Sequence, residues 1–258
     1  MAKKKERFSR GLFVVEGEKQ VFEAPPDRVE GIFCTESFAA AHPKALIPGI
    51  TETVSDRVFA KMSDTDTPQG ILAVIKMQET CPDKIYAGSG RSGEESDDKD
   101  HPQKNRYENL ILFLEDIRDP GNLGTIIRSA EAAGVTGIIM SRDTVDVYNP
   151  KTVRSTMGSV YRVPFLYTDD LYAELKKAKK NGIKLYAAYL QSSIPYYEAD
   201  LTVACGILIG NEAKGLTQHA AELADERIII PMSGSVESLN AAIAASVVSF
   251  EAKRQREN

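Results

Sequence analysis

"LILFLEDIRDPGNLGTIIRSAEAAG", residues 110–134, decides the fold. Its first part, LILFLE (110–115), is an unbroken apolar run of strand length, the pattern of a strand buried on both faces. Asp119, Pro120, Gly121 and Asn122 then make a turn. Beyond it Ile126, Ile127, Ala130 and Ala133 recur at helical spacing, so a helix packs back on the sheet. A strand–turn–helix unit of this kind belongs to α/β proteins, which keep ligands at the carboxyl ends of their strands. Gly124 and Arg128 lie four apart on one side of the helix, where the glycine admits a close neighbour and the arginine reaches past it. A plainer reading has Arg128 paired with Glu131 on a solvated face and Asn122 serving only the turn.

The alternation continues downstream. GIIMS (137–141), VPFLYT (163–168), IKLYAAY (183–189), CGILIG (205–210) and RIIIPM (227–232) read as further strands. DDLYAELKKAKKNG, QHAAELAD and a closing SLNAAIAASVVSFEAKRQ read as helices. In the first of these, acids open the helix, lysines crowd its last turns and Asn181–Gly182 ends it, as the macrodipole and C-cap preferences require. In the closing helix Leu239, Ile243, Val247 and Phe250 mark one face. Apolar strands alternating with helices predict a largely parallel sheet covered on both sides.

Upstream, GLFVVEG (11–17), GIFCT (31–35) and GILAVIKM (70–77) read as strands, and EKQVFEA (18–24) and SDRVFAKM (55–62) as helices, which makes a small α/β unit. Between the two regions AGSGRSGEESDDKDHPQKNR (87–106) has no apolar residue after its first alanine and cannot bury a face. The expected organisation is a small domain over 1–86, a flexible acidic linker over 87–106 and a larger domain over 107–258.

Bulk properties narrow the class. With 42% hydrophobic and 27% charged residues in 258, the composition is that of a soluble globular chain. No apolar run is long enough to span a bilayer, and the basic start MAKKKERFSR lacks an apolar signal core, which argues against export. Cys34, Cys81 and Cys205 are odd in number and far apart, which suits inert thiols in a reducing cytoplasm and neither a disulfide framework nor a zinc site. The net charge of −5 speaks against a nucleic-acid coat protein but allows a local basic patch. Lys3, Lys4, Lys5, Arg7 and Arg10 form one, read most simply as a solvated, frayed terminus and alternatively as a phosphate-touching arm.

Two more strand-end loops carry polar residues. In ILIGNEAKGLT (207–217), Gly210 and Gly215 have the gap of a phosphate-cradling loop. Leu216 occupies the position where that loop needs lysine, so a nucleotide-triphosphatase site is excluded, and Glu212 remains beside exposed backbone. In IIIPMSGSVESLNAAIA (228–244), Ser238 reads as the N-cap of the last helix and Asn240 as a first-turn polar residue. Three polar, glycine-rich turns at the same strand ends favour one shared pocket over three coincidences.

NLGTIIRSAEAAG, ILIGNEAKGL and IPMSGSVESLNAAIAASVVSFE, in this order and spacing, resemble the three motifs of the SpoU (TrmH-like) RNA ribose 2′-O-methyltransferases of the SPOUT class. GLFVVEGEKQVFEA and TPQGILAVI look like the L30e-like substrate-binding domain that often precedes them. The resemblance implies a C-terminal α/β domain with a deep trefoil knot, S-adenosylmethionine held bent in the knotted loops, and a homodimer. It implies that Gly210, Ile230 and Leu239 contact the cofactor, and that Asn122, Arg128, Glu212, Ser238 and Asn240 occupy catalytic or RNA-facing positions. No metal is expected, because a sulfonium leaves as a neutral thioether. The family proposes the arginine as base. A guanidinium stays protonated, so Arg128 fits better as a clamp on the adjoining phosphate that also orients the 2′-hydroxyl.

The expected activity is cytoplasmic 2′-O-methylation of structured RNA, ribosomal RNA ahead of transfer RNA. A non-catalytic RNA-binding assembly factor on the same fold is the rival, and a nucleotide-binding enzyme lacks both the phosphate loop and GxGxxG. The linker is expected to stay off the RNA path.

Overall fold

A computed structural model of the chain describes residues 3–43, 47–78, 85–86, 109–191, 193–236 and 238–258. The linker expected at 87–106, with Cys81, lies outside the described residues. The chain forms two compact units, one of residues 1–79 with 146–162 and one of 80–145 with 163–258.

The first unit opens with helix α1 (Lys4–Arg10), strand β1 (Leu12–Glu16) and helix α2 (Glu18–Phe22). It continues through β2 (Val29–Thr35), α3 (Glu36–Ala41), β3 (Thr51–Val54), α4 (Asp56–Met62) and β4 (Ile71–Lys76). The sheet order is β1-β4-β2-β3, antiparallel except where β2 meets β3. Phe13, Phe59, Ile71, Leu72 and Ile75 are fully buried in it. The segment 146–162 completes this core. Tyr148 and Tyr161 bring their rings to 4.6 and 6.4 Å from that of Phe13, and the Tyr161 hydroxyl donates to the Gln20 carbonyl at 3.0 Å.

The basic terminus is not frayed. Residues 4–10 are helical, and Arg7, only 3% exposed, pairs with Asp146 at 2.5 Å. A cation that deep needs a partner, and the chain supplies it from 139 residues away.

The second unit contains β5 (Leu110–Leu114), α5 (Pro120–Ala133), β6 (Gly137–Ser141), β7 (Phe165–Thr168), α7 (Leu171–Lys180), β8 (Lys184–Ala188), β9 (Ile194–Pro195), β10 (Cys205–Ile209), α8 (Gln218–Leu223), β11 (Glu226–Ile229) and α9 (Ala241–Glu257). The helix Pro150–Thr156, α6 in chain order, belongs to the first unit. The seven strands run β7-β6-β5-β10-β8-β11-β9, and every pairing is parallel. All five residues of β5 and of β10 are buried, as central strands covered on both faces must be. Cys34 and Cys205 are buried free thiols, and burial pushes the Cys205 thiol up to about 11, which keeps it inert.

Helix α5 is bounded as its sequence demands. Asp119 caps it by accepting from the Asn122 amide at 2.8 Å, Pro120 sits in the first turn, and Gly134 ends it at φ 79°. Helix α7 has Asp170 as N-cap and Lys177, Lys179 and Lys180 in its last turn.

Helix α9 corrects two expectations. Asn240, not Ser238, is its N-cap, with the amide oxygen 2.9 and 3.3 Å from the Ala242 and Ile243 amides. Leu239 lies before the helix, and Ile243 and Phe250 are 52% and 45% exposed. The buried face is made of small residues, Ala241, Ala242, Ala245, Ser249 and Ala252 with Val248, and it packs on α5 and β10. Small side chains let two helices approach closely, so size does not mark the inner face here.

Candidate active site

The site stands where β5, β10 and β11 end. Strand β10 stops at Ile209, and Gly210 begins a tight turn. A Cβ at Gly210 would lie 2.1 Å from the Leu216 amide nitrogen and 2.2 Å from the Gly215 carbonyl carbon, so only glycine fits. The turn closes on itself through reciprocal backbone hydrogen bonds between Asn211 and Gly215, at 3.1 and 2.9 Å, with Gly215 at φ 68°. The Asn211 side chain accepts from the Ala213 and Lys214 amides and donates to the Asp116 carbonyl at 2.8 Å, which ties the turn to the end of β5. Glu115, also at that end and 8% exposed, accepts from the Thr217 amide at 2.7 Å and its hydroxyl at 2.9 Å. The Gly210–Gly215 spacing therefore builds a closed turn.

Glu212 projects from this turn onto the start of α5. Its carboxylate accepts from the Arg118 amide (3.1 Å), the Asp119 amide (3.0 Å) and the Asn122 side-chain amide (2.9 Å). Asn122 in turn accepts from the Asn240 side-chain amide at 2.9 Å. Glu212, Asn122 and Asn240, separated by 90 and 118 residues in sequence, thus form one continuous chain of hydrogen bonds joining all three strand-end loops. Burial pushes the Glu212 carboxyl up, but the donors from Asn122, Asp119 and Arg118 together outweigh it and hold the group below its ordinary value. Glu212 is therefore ionised at neutral pH, with its oxygens engaged.

Arg128 lies two turns further along α5, exposed, and its guanidinium has no hydrogen-bond or ion-pair partner among the described residues. The expected pairing with Glu131 is absent. Gly124, on the same side by spacing, is buried while Arg128 is not. Ser238 is exposed on the loop before α9.

Beside the network is a cleft of about 300 Å³. The three residues expected to hold a cofactor, Gly210, Ile230 and Leu239, all line it, as do Glu212, Ser238 and Lys214. Its walls are mainly isoleucine and leucine side chains with the backbone of the 210–215 turn between them, a mix suited to a flat heterocycle with polar edges. Asn122, Arg128 and Asn240 stand outside the cleft wall. Sequence reading missed Asn211 and Glu115, which shape the turn. The Asx-turn spacing of Asn211 to Ala213 and Lys214 was visible, whereas the reach of Glu115 to Thr217 crosses 102 residues. Among the described residues no group of His, Cys, Asp and Glu could hold a metal ion, and no helix is long and apolar enough to cross a membrane.

Residues 109–250 match the SpoU rRNA Methylase family, and residues 1–73 match the MRM3-like substrate binding domain. The 23S rRNA (guanosine(2553)-2′-O)-methyltransferase RlmP of Bacillus subtilis is 32% identical over 96% of this chain and 90% of its own length. The crystal structure of the SpoU methyltransferase AviRb from Streptomyces viridochromogenes aligns with a TM-score of 0.80 at 27% identity, covering 99% of this chain and 93% of that one. An AdoMet-bound rRNA methyltransferase from Sinorhizobium meliloti aligns with a TM-score of 0.77 at 30% identity, over 98% and 91% of the two chains. Fold, loop geometry and whole-length similarity agree, and the chain belongs to the SpoU rRNA methylase family.

Proposed function

We propose that this chain is an RNA 2′-O-ribose methyltransferase that uses S-adenosylmethionine and acts on ribosomal RNA. The observation that carries the reading is the Glu212–Asn122–Asn240 chain of hydrogen bonds, which fixes three strand-end loops around the cleft, with Arg128, on the same helix as Asn122, exposed and without a partner among the described residues. Two relatives that align along nearly the whole chain, RlmP of Bacillus subtilis and the Sinorhizobium meliloti enzyme, are named as rRNA methyltransferases, which favours rRNA over tRNA.

The cleft fits the methyl donor. Ile230 and Leu239 supply apolar walls for an adenine, and the turn backbone from Gly210 to Gly215 supplies polar edges. S-adenosylmethionine supplies an activated methyl group on sulfur. What the protein adds is position. Arg128, permanently charged, clamps the phosphate next to the target ribose and stabilises negative charge developing on its 2′-oxygen. Glu212, ionised and with its oxygens engaged by three donors, holds the loops, and the 2′-hydroxyl proton leaves to water as the methyl group is transferred. Asn122 and Asn240 keep α5 and α9 in register, and Ser238 faces ribose or cofactor.

The same reading includes a trefoil knot through the loops after β10 and β11. The strand order supports it, because β8 lies between β10 and β11 and the chain crosses it to pass from one to the other. It also includes a cytoplasmic location and a homodimer joined by the methyltransferase unit, the latter supported by the exposed Ile243 and Phe250 on α9, with half-buried Val247 between them. The smaller unit captures RNA. Incubating the full chain with unmodified 23S rRNA transcript and methyl-labelled S-adenosylmethionine tests the activity. Label in one ribose 2′-position is expected. Donor binding by calorimetry without any transfer would favour a defective or different substrate, and no donor binding would favour the assembly-factor reading.

A further inference from the structure

The first unit has a cleft of its own, of about 280 Å³, between the β1–α2 turn, the loop before β4 and the end of α6. Its lining draws on both distant parts of the chain that make up this unit: Gly17, Gln20, Thr67 and Gln69 from one, Arg154 and Met157 from the other.

The charged groups around it have partners of their own. Arg154 pairs with Asp64 at 3.0 Å, and Lys19 lies 3.8 Å from Glu23. The Glu16 carboxylate accepts from the Ser63 and Thr65 hydroxyls, both at 2.6 Å, and from the Asp64 amide at 3.2 Å. Two neutral groups at the cleft remain uncommitted. Gln69 uses its oxygen on the Glu18 amide at 2.9 Å, and its NH2 has no partner among the described residues; nor has the Thr67 hydroxyl. Gln20 is only 6% exposed, and its side-chain oxygen is unsatisfied. A buried amide oxygen without a donor is costly unless a ligand or water supplies one.

Met157 adds an apolar surface held under strain. It adopts φ 52°, the left-handed region that a long side chain rarely takes, and it remains 37% exposed. Gly158 follows at φ 92°, where a Cβ would come within 2.3 Å of the Glu23 carboxylate. The turn is thereby forced to present Met157 at the cleft.

Neutral donors and acceptors lie beside an apolar platform, next to cations held in exposed ion pairs. They suit the edge and face of an unstacked base. We infer that this cleft takes one unpaired nucleobase of the RNA substrate, read by the Gln69 amide and Thr67 hydroxyl and packed on Met157. The inference rests on the chain having an RNA substrate. It assigns to residues 146–162, which lie in the methylase part of the sequence, a share in choosing that RNA.

The test measures equilibrium binding of the full chain to unmodified 23S rRNA transcript across a range of salt. Met157→Gly removes the platform and relaxes the backbone, and Thr67→Val removes one hydroxyl from an exposed position without changing shape, so neither endangers the fold. Each is expected to weaken RNA binding by about tenfold, Met157→Gly through lost base packing and Thr67→Val through a lost hydrogen bond, with the salt slope and donor affinity unchanged. Unchanged RNA affinity in both variants overturns the base cleft while leaving the RNA reading intact. A shallower salt slope also overturns it, because it marks a phosphate contact. If the unsubstituted chain binds no RNA at any salt, the wider reading falls and this one with it.

Discussion

Glu212 and Arg128 divide the work of the site by how each charge is used. Every oxygen of Glu212 faces the loops it joins, so truncating it strands three donors at once. Glu212→Ala is expected to destabilise the second unit by about 1–3 kcal/mol in urea titration. The folded pKa of Glu212 is depressed, so its contribution is full above the unfolded carboxyl value and is lost as pH falls through the folded one. Stability measured from neutral to acid pH should therefore show an acid loss that Glu212→Gln reduces. Equal acid profiles would remove the electrostatic role. Arg128 has no partner among the described residues, so Arg128→Ala should leave stability unchanged, keep donor affinity within a few-fold and abolish methylation. Normal turnover in that variant would exclude it from the chemistry. Both residues were legible in the sequence because the motif order marked them. The division of roles was not, since it depends on which hydrogen bonds close across 90 residues or more.

At the scale of elements, the turn after β10 tolerates no side chain at its first residue. Gly210→Ala forces a methyl into the Leu216 amide, and the turn must open. The expected result is loss of donor binding by calorimetry and a fall in stability of more than about 2 kcal/mol. Retained donor affinity would mean that the turn does not shape the cleft. The buried strands were readable because parallel strands covered on both faces leave uninterrupted apolar runs. The polar edge strand β3, TETV, left no such trace and was missed. Helix α9 was readable as a helix but not in its orientation, because an alanine-rich face packs closely while its larger residues stay outside. Those exposed residues give a further expectation. Ile243→Glu with Phe250→Glu should leave a folded monomer in sedimentation if α9 joins two copies, and an unchanged assembly would place the contact elsewhere.

At the scale of the whole molecule, linear order and compact units do not coincide. Residues 146–162 sit inside the methylase part of the sequence, yet they complete the core of the smaller unit through Tyr148, Tyr161 and the Asp146–Arg7 pair. Nothing in the segment's own pattern reveals this, because its apolar residues are as compatible with one core as with another. The consequence is energetic. Asp146 neutralises a nearly fully buried arginine, and removing one member of such a pair costs about 3–5 kcal/mol, since the other charge is left without compensation. Asp146→Ala should therefore loosen α1 and residues 146–162 together. In hydrogen exchange read by mass spectrometry, amides of Lys4–Arg10 and of Pro150–Thr156 should lose protection in step, while β10 keeps its own. Loss confined to α1 would mean that the segment is held by the aromatic contacts alone. Loss that spread equally into β10 would mean that the two units unfold as one.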